Sequence, residues 1–161
     1  MTPANEPFAV GTGMLANFCD VDTLNSLLRG EISAVETYDQ ALAKFDEDAA
    51  GELRTARDDH RRAVAALRDK VRNFGGDPAD GSGTWGTFAT AVTGAAKVIG
   101  PKTVLSALKQ GEEHGVGEYQ EALDNPEIAD ECRFLIRSEL LPNCNHHITT
   151  LARMIEALEA K

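Results

Sequence analysis

Apolar residues recur along this chain at steps of three and four, and no stretch alternates strictly, so the pattern predicts helices and no strands. Leu24, Leu28, Val35, Leu42 and Phe45, with Glu31 and Tyr38 among them, trace one face of a helix over 21–46. Asp20 or Asp22 is placed to cap it by accepting from its free N–H groups. A second stripe, Leu53, Ala56, His60, Val64, Leu67, Val71 and Phe74, predicts a helix over 52–74. Gly75 and Gly76, with Pro78 beyond, form its stop. The third stripe, Leu105, Leu108, Glu112, Val116, Tyr119 and Leu123, predicts a helix over 101–123, with Pro101 suited to the first turn. The fourth helix, over 127–160, turns Leu140, His147, Leu151, Met154 and Leu158 inward. Pro142 lacks an N–H and crowds the preceding turn, so a kink is expected there.

The connections differ in kind. "DEDAAG" and "DNP" are short turns, whereas residues 75–100 form a Gly-rich crossover with room for a short helix after Trp85. Trp85 is expected to plug one end. Residues 1–20 are rich in Pro, Gly and Asn and read as an arm. The prediction is one all-α domain over 1–161, in which hairpins 21–74 and 101–160 make a four-helix bundle joined by a long crossover.

Two polar positions interrupt the apolar stripes in the same way. "LNSLLRGEISAVETYDQAL" (24–42) lies over "LSALKQGEEHGVGEYQEAL" (105–123) with eight of 19 residues identical and no gap. Average composition predicts about one or two. Similar apolar periodicity explains some of the agreement, but not the shared Gly-Glu and Tyr, so the hairpins read as an internal duplication. Each interior glycine costs a helix about 1 kcal/mol relative to Ala. Gly30 and Ala34, matching Gly111 and Gly115, are therefore expected to let the first and third helices approach closely beside the two glutamates.

Glutamate followed seven residues later by tyrosine, on the first and third helices of a hairpin–crossover–hairpin bundle, resembles the ferritin-like superfamily. The "RGE…Y…AL", "GG-P" and "WG" elements resemble a bacterial ferritin-like family of unknown function. Ferritin-like di-iron proteins hold their metals with one Glu from each of two helices and a Glu-x-x-His from each of the others. The resemblance implies Glu31 and Glu112 as the lone glutamates and His60 and His147 as the histidines. Carboxylate and imidazole suit a redox-active ion because they stabilise it in more than one oxidation state. Arg57 and Cys144 stand where the remaining two carboxylates would be. The implied set is thus incomplete, holding one ion of Fe, Mn or Zn with little oxidase turnover. The alternative is a metal-free polar layer that includes Tyr38 and Tyr119, in a module that works by association.

Levels along the bundle argue against a joined site. A turn centred near Asp48 and Ala49 puts Glu31 level with Ala66 and His60 level with Thr37, a gap of about 9 Å at 1.5 Å per residue. His147 is displaced from Glu112 in the same sense. Both histidines are therefore expected to fall short of the glutamates. His114, His146, Glu36, Asp59 and Glu113 read as solvated or flanking. Glu139 is the one further carboxylate that could reach the level of Glu112. Cys144 reads as a small buried thiol.

Composition narrows the function classes. The 161 residues carry a net charge of −10, which disfavours nucleic acid and anionic membrane surfaces as partners. No apolar run approaches a membrane span, and the N-terminus lacks a signal-peptide pattern. Cys19, Cys132 and Cys144 have no paired spacing and read as reduced thiols in a cytoplasm-like compartment. "GSGTWG" lacks the lysine and preceding strand of a phosphate loop. A homo-oligomer is compatible with such a bundle, and no protein partner is legible.

Overall fold

The computed structural model describes residues 19–85 and 100–160. Helix α1 spans Val21–Leu42 and α2 spans Glu47–Asn73. A single 3-10 turn, Gly83–Trp85, follows, and α3 spans Pro101–Asp124. The fourth rod is α4 (Asp130–Leu135), a π turn (Ile136–Leu140) and α5 (Leu141–Glu159), without a break. There is no strand among the described residues, and no described helix is long and apolar enough to cross a membrane. The arm before Cys19, the short helix after Trp85 and the Trp85 side chain lie outside the described residues.

The helix ends follow local chemistry. Asp20 caps α1, its side chain accepting from the Thr23 backbone N–H at 3.1 Å. Helix α2 stops where Gly75 takes φ +78°, a region that disfavours any side chain. The Gly76 N–H then bonds the Val71 carbonyl at 2.9 Å, satisfying an orphan acceptor of the last turn. A Cβ at Gly76 would lie 2.3 Å from Val21 Cγ1, so the α2 exit packs directly on the α1 start. Pro101 occupies the first turn of α3, as its missing N–H permits.

The core has two blocks. One gathers Leu24, Leu28, Leu67, Val71, Cys132 and Ile136; the other gathers Ala41, Leu53, Val104, Leu105 and Leu151. Between them all four rods contribute a buried polar residue: Glu31, His60, Glu112 and His147. Apart from Leu158 the stripes read from sequence face inward, and their polar members form one layer.

Two expectations fail in instructive ways. The first turn lies at 43–46, between the end of α1 and the start of α2, rather than around Asp48 and Ala49. A shift of the turn by four residues moves the level partner of any residue by twice that, about 12 Å. The expected gap between Glu31 and His60 disappears with it. In the fourth rod, Cys132, Ile136, Leu140 and Cys144 are all buried. Steps of four drift by about 40° each on an ideal helix, so three such steps hold one face only if a wider turn intervenes. The π turn does this, and it relieves Pro142, whose ring would crowd the carbonyl one turn back. Leu158, at the far end, is 37% exposed rather than inward.

Candidate metal centre

Crossed tyrosine–glutamate pairs set the register of α1 against α3. Tyr38 donates to Glu112 Oε1 at 2.6 Å, and the Tyr119 hydroxyl donates to Glu31 Oε1 in a short bond. In parallel helices these contacts would demand registers 14 residues apart, about 21 Å, which no side chain bridges. Antiparallel helices satisfy both at once because the Glu-to-Tyr spacing is seven in each. The repeated motif is therefore a mutual lock between two helices, with each glutamate held by the other helix's tyrosine.

The histidines complete the layer. His60 Nδ1 lies 2.7 Å from Glu31 Oε2, and its Nε2 lies 2.9 Å from Glu112 Oε1. His147 Nδ1 lies 3.2 Å from the same Glu112 Oε1, and its Nε2 lies 2.9 Å from Asp59 Oδ2. Helical side chains lean towards their own N-terminus, so on antiparallel neighbours they lean towards each other and close residual axial gaps. The outer nitrogen of each imidazole is thus held by a carboxylate: Glu31 for His60, Asp59 for His147. The inner nitrogens converge on Glu112, and the three candidate donor atoms of His60, Glu112 and His147 lie within 4.8 Å of one another.

Ionised carboxylates only accept, so an imidazole with both nitrogens against carboxylates carries two protons in the metal-free layer. Burial alone pushes His60 down, but the Glu31 and Glu112 carboxylates outweigh it and raise it well above the ordinary value. His147 is likewise raised against its burial, by the bond and charge of Glu112 and by Asp59. Burial pushes Glu112 up, yet the His60 charge and the bonds from His147 and His60 hold it well below the carboxylate range. Burial and the neighbouring glutamates push both tyrosines and Cys144 up, so all three stay protonated.

Of the residues singled out from sequence, Glu31, His60, Glu112 and His147 come together, contrary to the level arithmetic. Arg57 points away from the layer and pairs with Asp58 at 2.9 Å and Asp39 at 3.2 Å. Its charge is spent there rather than against a site cation. Cys144 is a free, buried thiol. Glu139 is exposed and does not join, and His114 and His146 are exposed too. Asp59, read as solvated, is instead only 12% exposed at its side chain and orients His147. Its only sequence signal was adjacency to His60.

The glycine expectation also fails. Among the described residues a Cβ at Gly30 or Gly111 would meet nothing within 4 Å, and one at Gly115 would meet only Cys144 Sγ at 3.7 Å. The small residues do not bring backbones together. They border a cleft of about 170 Å³ between α1 and α3, whose floor includes Glu31, Glu112, Tyr38 and Tyr119.

The profile of DUF2383, a domain of unknown function, matches residues 20–125. The chain belongs to that family. The DUF2383 match takes in Glu31, Asp59, His60 and Glu112 and stops before His147. Among solved structures the DUF2383 chain is similar to one described as ferritin-like, diiron-carboxylate proteins from Bacillus anthracis str. Ames. That likeness has 18% identity and a TM-score of 0.52, covering 87% of this chain and 92% of the other. At that identity it establishes the ferritin-like fold and nothing about activity. No curated protein matches the chain.

Proposed function

We propose that this DUF2383 chain is a ferritin-like protein that holds a single divalent ion, Fe, Mn or Zn, on His60 Nε2, His147 Nδ1 and Glu112. Glu31 and Asp59 orient the two imidazoles from outside. The observation that carries this reading is Glu112 itself. Its Oε1 accepts three hydrogen bonds, whereas its Oε2 is buried and receives no N–H or O–H among the described residues, with only the weakly donating Cys144 thiol beside the carboxylate. A buried carboxylate oxygen without a donor is costly, and a cation removes that cost.

The donor set fits. Two imidazole nitrogens and one carboxylate are the facial triad suited to ferrous iron, and they serve Zn and Mn as well. Ligand atoms about 2.1 Å from one ion lie about 3 Å apart, which the 2.9 and 3.2 Å nitrogen–oxygen distances already match. Two imidazole protons and one divalent ion carry the same charge, so exchanging them leaves the layer's net charge unchanged. Bound there, iron or manganese would supply one-electron chemistry and zinc Lewis acidity. The chain's own part is to keep the outer nitrogens protonated on Glu31 and Asp59 so that the inner nitrogens are directed at the ion that displaces their protons, to fix Glu112 through Tyr38, and to keep the layer between two apolar blocks. A second ion has no comparable set among the described residues: Arg57 and Cys144 stand three residues before the histidines, and Arg57 is turned outwards.

Elemental analysis of protein purified without chelator or affinity tag tests this directly. Calorimetric titration of Fe²⁺, Mn²⁺ or Zn²⁺ should show one site, lost in Glu112→Ala and weakened about 10–100-fold in Glu31→Ala and Asp59→Asn, as for other partners of ligating histidines. Unchanged binding in Glu112→Ala defeats the proposal.

The satisfied nitrogens favour a second reading, a metal-free polar layer that specifies the packing. Its extension to an association module has less support. The exposed large apolar residues among those described, Phe134 and Leu158, lie 24 residues apart on one rod, about 36 Å, and form no continuous face. We further propose one domain built from a duplicated hairpin, supported by the eight shared positions and the reciprocal Tyr–Glu bonds. A cytoplasmic setting is supported by three free cysteines, including Cys19 and Cys132 with sulfurs 4.0 Å apart.

A further inference from the structure

The chain just before α1 is fastened to the corner that joins α3 to α4. The Asp20 N–H donates to the Glu127 carbonyl at 2.9 Å, and the Asn125 side-chain amide donates to Asp20 Oδ2 at 2.8 Å. The Ala129 N–H donates to Cys19 Sγ at 3.4 Å. These ties bring together two cysteines that stand 113 positions apart. Cys19 Sγ lies 4.0 Å from Cys132 Sγ, and both thiols are free. Cys144 is the contrast: it follows Cys132 by about 18 Å along the same rod, beyond the reach of either sulfur.

A free thiol packs well as a small hydrophobe, which accounts for one cysteine in a core. Two in contact, each placed by its own set of backbone bonds, are also arranged for a bond between them. A disulfide needs its sulfurs about 2.0 Å apart, so this pair must close by about 2 Å, a displacement that rotation about χ1 can supply. Burial pushes the Cys132 thiol up to about 12, with the Cys19 sulfur adding to the rise and the Lys70 ammonium opposing it. Cys132 therefore rests as a thiol. Cys19 is 6% exposed against 1% for Cys132, and it precedes the first turn of α1, so it is the sulfur that an oxidant meets first.

We propose that Cys19 and Cys132 are a redox-sensitive pair that closes to an intramolecular disulfide when a peroxide is the oxidant, fastening the start of α1 to α4. Cys19 sulfur attacks one peroxide oxygen and the O–O bond breaks. The leaving hydroxide takes the thiol proton as water, and Cys19 becomes a sulfenic acid. Cys132 Sγ then attacks the Cys19 sulfur, the S–O bond breaks, and the hydroxide leaves with the Cys132 proton as a second water. Two thiols lose two electrons and two protons, and one peroxide becomes two waters. A thiol reductant reverses the step by exchange. Metal binding plays no part, and the test uses protein held in EDTA so that no iron reacts with the peroxide.

Reduced protein, freed of reductant, is incubated with about tenfold hydrogen peroxide for about an hour. Free thiols counted after denaturation should fall from three to one. Peptide mapping should join Cys19 to Cys132 with the loss of two hydrogens and leave Cys144 free. Closing so long a loop restricts the unfolded chain, so Tm should rise by about 5–15 °C and fall back with dithiothreitol. Cys19→Ala should abolish the rise, and Cys132→Ala makes the same test should the first variant misfold. Three thiols surviving the peroxide would leave the pair as inert packing and overturn the proposal. Oxygen added to either cysteine without a cross-link overturns it too, as does a bridge that uses Cys144 or a second chain. An oxidised Tm at or below the reduced one would mean that the fold must distort to close the bond, and overturns it equally. None of these results bears on the calorimetric metal titration, so the two readings fail separately.

Discussion

Replacing Tyr38 by Phe isolates one bond of the polar layer. Tyr38 is 2% exposed, and its hydroxyl donates to Glu112 Oε1 at 2.6 Å. Phe fills the same space, so no cavity opens and the change is confined to the donor. A hydrogen bond to a charged group contributes about 1.5–3 kcal/mol. Glu112 Oε1 keeps His60 at 2.9 Å and His147 at 3.2 Å, so it is not orphaned, and the loss belongs in the lower half of that range, about 2 kcal/mol. For a chain of this size that lowers Tm by about 4–8 °C. The assay is urea unfolding of metal-free protein, followed by circular dichroism at the helix band, for Tyr38→Phe, Glu112→Gln and the double variant. Against a neutral Gln the hydroxyl is worth only about 0.5–1.5 kcal/mol, so the two changes should couple by about 1 kcal/mol. Additive losses, or a Tyr38→Phe variant within about 0.5 kcal/mol of wild type, would mean that the hydroxyl does not act through Glu112.

Tyr119→Phe should cost a similar amount, since it removes the reciprocal bond to Glu31; a much smaller loss would make the lock one-sided. His60 and His147 are both raised in the folded protein, so their contribution is full below the unfolded value near 6.5 and is lost as pH rises through the folded values. Metal-free protein should thus unfold at lower temperature at pH 8.5 than at pH 6, by at most about 1.4 kcal/mol per pH unit for each group, and equal Tm values would refute this. Glu112 is depressed, so its contribution is present above about 4.5 and lost as pH falls. Gly111→Ala adds a methyl that meets nothing within 4 Å among the described residues in a helix interior, and should stabilise by up to about 1 kcal/mol in thermal unfolding. Oxygen consumption with excess Fe²⁺ should exceed that of iron in buffer little, and Arg57→Glu should restore none, because Arg57 faces Asp39 and Asp58 outside the layer. Rapid stoichiometric oxidation by the wild type would call for a second ion site.

The chain's own pattern settled which residues face inward. Periodicity is a local property, so the stripes of all four rods could be read together with the polar members Glu31, His60, Glu112 and His147, and only Leu158, at the free end of the last rod, faces solvent instead. The repeated Glu–Tyr spacing carried more than was taken from it. It holds the crossed pairing of α1 with α3, since only antiparallel helices close both bonds. Axial position is another matter. A stripe repeats every few residues and looks the same after sliding by one repeat, so levels depend on where the turns fall. A four-residue error in one turn, doubled by the antiparallel return, separated His60 from Glu31 on paper although they lie 2.7 Å apart. Asp59 was invisible for a related reason. It leaves the stripe of its own helix, and only the neighbouring α5 makes it a partner of His147. The glycines show the same limit. Small residues permit close approach or an open cleft, and the distance between two helix axes, which no single helix encodes, decides between them.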